Sequence, residues 1–414
     1  MKILLLPAYC YPEHAASDHL SKNRNDAFAA AGFYSIAYVP TPTRGVSDEV
    51  RNEYKKKKLE YMYDGYLEIH RFAMFREGRN QIGRALRYSL CWIKQFNRGL
   101  LAKDMDVIFL ASTPPIQGMW GGILSRLKKV PFVYNLQDIF PDSLVGTGLA
   151  KKGGLLWKIG RVIEDFTYRN ADKIIVISED FKRNIMAKGV PAEKIEVIYN
   201  WVDEQTVVDV PRSENKLFDK YGLDRTKFYV TYCGNIGLTQ NMDMLMEVAK
   251  KLESELPDVR FVLVGEGAAK ARVEEMIREQ QISNVVLLPF QPYEDISHVF
   301  SLGDASLVIS KPGVGENSVP SKTWSIMSAS RPVLINFDEN ELKDIVADHE
   351  CGIFTKAGDK EAFKASIAKL YGDPELCRLY GRNGRQFVME HLTKEVGTQK
   401  YVDVIKSVAK SKEK

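Results

Sequence analysis

The chain alternates short, nearly unbroken apolar runs with longer stretches in which apolar residues recur every three or four positions. KILLLP at 2–7 is the first run, followed by Tyr34–Val39, Leu67–Phe72, Val107–Ala111, Phe132–Leu136, Lys173–Ile177 and Ile195–Tyr199. Helical patterns fill Ile82–Lys103, Ile116–Lys128, Leu155–Arg169 and Glu179–Lys188, and the loop Ala8–Asp18 leads into a helix ending near Gly32. A strand that is apolar on both sides is buried on both sides, so the alternation predicts a parallel sheet between two layers of helices. A second series begins after the polar stretch Asp203–Asp224, which reads as a linker and lead-in helix. Its strands are Phe228–Cys233, Arg260–Val264, Val285–Leu288, Ala305–Ile309 and Val333–Asn336. Helix-like segments precede the last four. From Leu342 to Ser407 the pattern is mostly helical, and the final amphipathic stretch has no strand after it.

These elements predict an α/β chain of two doubly wound, Rossmann-like domains facing a cleft. The first covers residues 1–205 and the second 206–392, with a C-terminal helix at about 393–414 crossing back to the first. A length of 414 residues fits two domains better than one. In such sheets ligands bind at the carboxyl ends of the strands, and two facing domains leave a cleft between them.

Composition narrows the field. At 45% apolar and 27% charged residues the chain is globular, and a net charge of +4 is too small to point to nucleic acid. Cys10, Cys91, Cys233, Cys351 and Cys377 are odd in number and never form a CxxC pair, which speaks against a disulfide framework or a zinc site and for a reducing cytoplasm. The opening apolar run meets Pro7 at once and lacks a small-residue cleavage site, so it reads as a first strand and no signal peptide is expected. No apolar stretch approaches the length of a spanning helix.

Three loops at predicted strand ends carry the candidate chemistry. YCGNIGLTQNMDML, from Tyr232, runs strand, Gly234–Asn235–Ile236–Gly237, helix: glycines let a backbone approach an anion closely. The spacing is not that of a dinucleotide fingerprint. VLVGEGAAK repeats the layout with Gly265, Glu266 and Gly267. KPGVGENSVPSKTWSIMSASRPVL, from Lys311, crosses a polar loop and opens a helix near Pro320–Ser321, where free N–H groups and a lysine would suit a pyrophosphate. Each loop alone also fits an ordinary βα turn.

The ordered set of motifs resembles the family 4 glycosyltransferases, retaining enzymes of the GT-B fold, over nearly the whole chain. The matching segments are YCYPEH near the N-terminus, TPP at 113–115, LQDIFPDS at 136–143, ADKIIVISEDFK and VPAEKIEVIYNW at 190–201. In the second domain they are GNIGLTQN, LVGEG, PSKTWSIMSASRPVL and CG at 351–352. The resemblance is greatest to the bacterial capsule and O-antigen branch that includes L-fucosamine transferases. It implies transfer of a sugar, of N-acetylhexosamine type, from a UDP-sugar held by the second domain to a polyprenyl-diphosphate-linked saccharide, with no cofactor. The family's E-x7-E pair falls on Asn317 and Ser325 here, with Glu316 one position early. The arginine and lysine that commonly grip the diphosphate are replaced near Asn235 and Gln240, and the histidine before the first-domain aspartate is Gln137.

The chemistry to be served is stabilisation of negative charge growing on a leaving diphosphate beside an oxocarbenium-like sugar. Lys322 is the leading candidate, with the amides of Ile236, Gly237 and Ser321 beside it; Lys311 is a second lysine and Ser318 a further donor. Glu316 and Asn317 suit sugar or ribose hydroxyls. Glu266 fits either the nucleotide or a helix N-cap, and Asn241 opens the next helix. Asp138 is the catalytic candidate of the first domain, with Gln137, Glu13 and His14 as cleft candidates. No D-x-D motif sits in a metal-binding loop, so a metal-independent site is expected. The segment Arg76–Lys103 interleaves seven basic residues with Leu86, Tyr88, Leu90, Trp92, Ile93 and Phe96 and contains one acid, Glu77. It fits either a core helix or peripheral contact with the anionic inner face of the cell membrane. Two other functions share this architecture, a UDP-sugar 2-epimerase and a non-catalytic nucleotide-sugar-binding subunit.

Overall fold

The computed structural model describes the chain apart from residues 14–17, 79, 115, 147–149, 316–318 and 411–414. Two compact units result, Met1–Tyr199 with Gly397–Lys414, and Asn200–Val396.

The first unit is a sheet of eight strands: β1 (Lys2–Leu5), β2 (Tyr34–Pro40), β3 (Leu59–Met62), β4 (Leu67–Phe72), β5 (Val107–Ala111), β6 (Phe132–Leu136), β7 (Lys173–Val176) and β8 (Ile195–Val197), ordered β3-β4-β2-β1-β5-β6-β7-β8. All pairings are parallel except that of the edge strand β3 with β4. The helices are α1 (Asp18–Ala30), α2 (Asp48–Lys56), α3 (Gln81–Leu101), α4 (Ile116–Lys128), α5 (Asp142–Gly146), α6 (Leu155–Asn170) and α7 (Glu179–Ala187). Ile3, Leu4, Ile108, Phe132, Val133, Ile174 and Ile175 are wholly buried, which is why these strands show no polar alternation. Helix α4 lies close against α6 because Gly118 and Gly122 face Thr167 and Asn170: a Cβ at either glycine would collide with those side chains. Strand β3 escapes the sequence reading because it is a short edge strand with no fully buried residue.

The second unit is an all-parallel sheet of β9 (Phe228–Cys233), β10 (Val259–Val264), β11 (Val285–Leu288), β12 (Ala305–Ile309), β13 (Val333–Phe337) and β14 (Gly352–Lys356), ordered β11-β10-β9-β12-β13-β14. Its helices are α8 (Lys216–Tyr221), α9 (Met242–Glu255), α10 (Lys270–Glu279), α11 (Ile296–Phe300), α12 (Lys322–Ser328), α13 (Glu341–Asp348), α14 (Lys360–Gly372) and α15 (Pro374–His391). Strand β14 lies inside the stretch Leu342–Ser407 that the pattern reads as mostly helical, and is an addition to the five strands expected for this unit. It pairs with β13 along its whole length, Val333 opposite Gly352 through Phe337 opposite Lys356. The polar stretch at its start is no free tether. The amides of Val208 and Val210 donate to the hydroxyls of Ser297 and Ser301, each at 3.0 Å, and Arg385 donates to the carbonyls of Val207 and Glu204.

The last helix, α16 (Lys394–Lys410), packs on the first unit over most of its length. Val402, Ile405 and Val408 are buried, and the Tyr401 hydroxyl donates to Asn135 Oδ1 at 3.1 Å at the end of β6.

Candidate functional site

The carboxyl ends of β9, β10 and β12 bring three of the sequence motifs together within the second unit. The two glycine loops meet backbone to backbone. The Gly234 amide donates to Val264 O at 2.9 Å, that of Ile236 to Glu266 O at 2.8 Å, and that of Ala269 to Ile236 O at 2.9 Å. A Cβ at Gly265 would overlap the Gly234 carbonyl, and one at Gly267 the Ile236 carbonyl. The glycines are therefore required first by each other. The Gly237 amide is likewise engaged, donating to Gln240 Oε1 at 3.1 Å. This corrects the expectation that the amides of Ile236 and Gly237 stand open to an anion: both already have acceptors. The Asn235 carbonyl accepts from the Tyr232 hydroxyl at 2.6 Å. Asn241 sits at the N-cap of α9 without a side-chain capping bond.

Lys322 opens α12 and turns its ammonium onto the face of Tyr232, 3.9 Å from the ring centroid. Gly234 lies beside it: a Cβ there would stand 3.4 Å from Lys322 Nζ. Among the described residues no carboxylate pairs with this ammonium. Burial pulls its pKa down to about 8, with the neighbouring Cys233 acting weakly the other way. A desolvated cation over a ring is stabilised by about 2 kcal/mol, which does not replace a counter-ion. Lys322 is also one of the residues lining a cavity of about 190 Å³, with Thr239, Gln240, Ser310, Gly315, Pro320 and Phe337 among others. The buried Ser310 hydroxyl, on that wall, has no hydrogen-bond partner among the described residues. Ser310 escapes the sequence reading although its position, directly after the apolar run of β12, is where a ligand contact belongs.

The loop after β12 is held by a residue that the motifs do not include. Asp338, just past β13, accepts from the amides of Gly313 and Gly315 at 3.0 and 2.7 Å. The Lys311 amide donates to Thr239 O at 2.8 Å, tying this loop to the GNIG loop, while the Lys311 side chain points to solvent. Ser321 precedes α12 with helical backbone angles and an exposed side chain that makes no capping bond. Glu266 is exposed and bound to Lys270 at 2.7 Å, the arrangement of a solvated loop carboxylate. Glu316, Asn317 and Ser318 lie outside the described residues.

In the first unit the predicted residues divide. Asp138 is solvent-accessible just past β6, and its carboxyl is held above the usual aspartate range by surrounding protein, against the bonds from Ser143 and the Ile139 amide. Gln137 donates to Asn135 Oδ1 at 2.9 Å, joining the same atom that Tyr401 reaches, and its amide donates to Ser112 Oγ. Glu13 is a correction. It is buried, and Oε1 accepts from the amides of Thr43 and Arg44 at 2.7 and 3.0 Å while Oε2 accepts from that of Cys10. Its carboxylate clamps two loops together and is buried within the protein, the place of a structural group. His14 lies outside the described residues.

The basic segment Arg76–Lys103 is also less open than its sequence suggests. Arg87 is wholly buried, Arg84 pairs with Glu77, and Arg76 with Asp48. Trp92 is buried and stacks on Trp120 at 5.6 Å, whereas Leu86, Leu90 and Ile93 are exposed. Among the described residues no three His, Cys, Asp or Glu side chains converge as a metal cluster would require, and no helix is long and apolar enough to cross a membrane.

Comparison with known proteins supplies the context for this geometry. Residues 26–206 match the family model described as Glycosyltransferase Family 4, and residues 213–387 match that of Glycosyl transferases group 1. A protein of Escherichia coli (strain K12), whose name assigns it to colanic acid biosynthesis as glycosyl transferase WcaI, is 29% identical over 216 residues. That match spans about half of each protein, 51% of this chain and 53% of WcaI. The capsular polysaccharide biosynthesis glycosyltransferase CapM of Staphylococcus aureus is 22% identical over 72% of this chain and 76% of its own length. Among solved structures, Anabaena Alr3699/HepE in complex with UDP superimposes with a TM-score of 0.73 at 17% identity, covering 98% of this chain and 100% of that one.

Proposed function

We propose that this chain, a family 4 glycosyltransferase of the GT-B fold, transfers a sugar with retention of configuration from a UDP-sugar to a lipid-linked saccharide. The observation that carries this reading is Lys322: its ammonium packs on Tyr232 at 3.9 Å without a carboxylate partner among the described residues, and the residue lines a cavity at the ends of the strands. A donor diphosphate is the partner that such a cation lacks. As the glycosidic bond breaks, charge accumulates on the departing UDP, and a fixed ammonium in a water-poor setting stabilises it more than the ground state. Fold relatives crystallised with UDP, with UDP and glucose, and with UDP-glucose support UDP as the nucleotide. Because a phosphate oxygen of the donor can take the acceptor proton, no protein base is required, and Asp138 serves to orient a sugar hydroxyl.

The donor is an N-acetylhexosamine type, as in the L-fucosamine-transferase-like branch, and the acceptor a polyprenyl-diphosphate-linked saccharide of capsule, O-antigen or exopolysaccharide synthesis. The enzyme works peripherally at the inner face of the cell membrane and without a metal. Names of related proteins in colanic acid and capsular polysaccharide biosynthesis support this setting. Incubation with a panel of UDP-N-acetylhexosamines and a lipid-linked acceptor in excess chelator tests it by mass analysis of the product. A single sugar increment on the lipid is expected. Binding of UDP without transfer to any acceptor, or loss of turnover with the metal, would remove the corresponding part of the reading.

A further inference from the structure

We propose that α3, α4 and α6 of the first unit form one docking surface for an anionic lipid bilayer, with α6 as its inserting element. This rests on the peripheral membrane reading above and assigns it to a place. Helix α4 lies between the other two, joined to α3 by the Trp92–Trp120 stack and to α6 through Gly118 and Gly122. Leu155, Ile159 and Val162 recur at i, i+4 and i+7 on α6, and they are 77%, 50% and 67% exposed. Leu86, Leu90 and Ile93 repeat that spacing on α3 and are exposed as well, and Leu127 projects 60% exposed from the end of α4. Two apolar stripes of this length on the helices either side of α4 are not the scattered leucines of an ordinary surface.

Charge identifies the occupant. No aspartate or glutamate occurs from Gly78 to Lys103, from Val107 to Gln137, or from Leu144 to Ile163, so α3, α4 and the first two turns of α6 lack acids altogether. Lys151, Lys152 and Lys158 flank the α6 stripe, exposed and without an ion-pair partner among the described residues. Acids appear only at Glu164 and Asp165, where they bind Arg161. Leucines edged by unpaired lysines match a headgroup layer that offers anions above and acyl chains below. A second copy of the chain would bring like charge against like charge, which disfavours self-association through this face.

Flotation of the full chain with vesicles of phosphatidylcholine containing phosphatidylglycerol tests the proposal. The wild type is expected to float at low salt and to be released by salt or by pure phosphatidylcholine. Combined L155S, I159S and V162S should lower the bound fraction by roughly tenfold, because partitioning follows buried apolar area. K151Q with K152Q and K158Q should weaken binding to anionic vesicles alone, and both variants should keep the wild-type affinity for UDP and the wild-type melting curve. Undiminished flotation of both variants overturns the α6 assignment while leaving membrane association in place. If the wild type itself stays with the soluble fraction yet transfers sugar to a water-soluble acceptor, the membrane reading falls and the transferase reading stands. A wild-type dimer that the leucine variant converts to monomer would also overturn the proposal.

Discussion

At the strand ends of the first unit several charged side chains are engaged by the protein itself. Glu13 accepts three backbone amides, Arg51 donates to the carbonyls of Thr41, Pro42 and Met74, and Arg71 meets Glu60 at 3.0 Å. At the strand ends of the second unit the glycine loops close on each other, and Lys322 lies over a tyrosine ring, lines a cavity and has no carboxylate partner among the described residues. A carboxylate that saturates its hydrogen bonds internally is a structural part, whereas a desolvated cation short of a partner is a binding part. The difference also separates the two kinds of mutational effect to be expected.

Removing the unpartnered cation should cost function and spare the fold. K322M is expected to lower kcat/KM on the order of a hundredfold or more, as loss of a transition-state charge contact does. Its melting temperature at neutral pH should equal or exceed that of the wild type, because an ill-compensated buried charge has been removed. Removing the saturated carboxylate should do the reverse: E13A is predicted to destabilise the chain by about 2–4 kcal/mol in urea unfolding, since it strands buried donors. UDP affinity should be retained in whatever folds. G265A joins the two outcomes, because its Cβ would meet the carbonyl of Gly234, the glycine beside Lys322, and so displace the GNIG loop. A loss of about 1–3 kcal/mol is expected, with weaker UDP binding in calorimetry. The smallest effect belongs to E266Q: its exposed pair with Lys270 contributes less than about 1 kcal/mol, and UDP affinity should barely move.

Much of the fold was legible because buried parallel strands print themselves as apolar runs. Leu67–Phe72, Val107–Ala111, Phe132–Leu136, Phe228–Cys233, Val285–Leu288 and Ala305–Ile309 begin and end where the runs do. The edge strands β3 and β14 were not legible, since one face of each meets solvent and their runs are short. The glycine loops could be located but not interpreted: spacing shows that backbone is approached closely, and only coordinates show that the approaching group is the other loop. Glu13 misled for a related reason. A polar residue in a loop after the first strand looks the same in sequence whether it faces substrate or clamps the Thr43–Arg44 turn. Ser310 and Asp338 carry no motif, and their importance follows from which strand ends they occupy.

The proton balance of UDP binding is the most direct test of the claim that Lys322 awaits a diphosphate. With its folded pKa lowered to about 8, the protonated lysine is disfavoured in the folded protein. The resulting penalty is full below about pH 8 and is relieved as pH rises toward the unfolded value near 10.4, so stability of the free protein should rise across that window. A bound diphosphate restores the charge and raises the pKa. Calorimetric titration with UDP at about pH 8.5, where the ligand phosphate is already ionised, in two buffers of different ionisation enthalpy reads the protons exchanged. The wild type should take up a large fraction of one proton and K322Q none; equal uptake by both, or none by the wild type, would contradict the account.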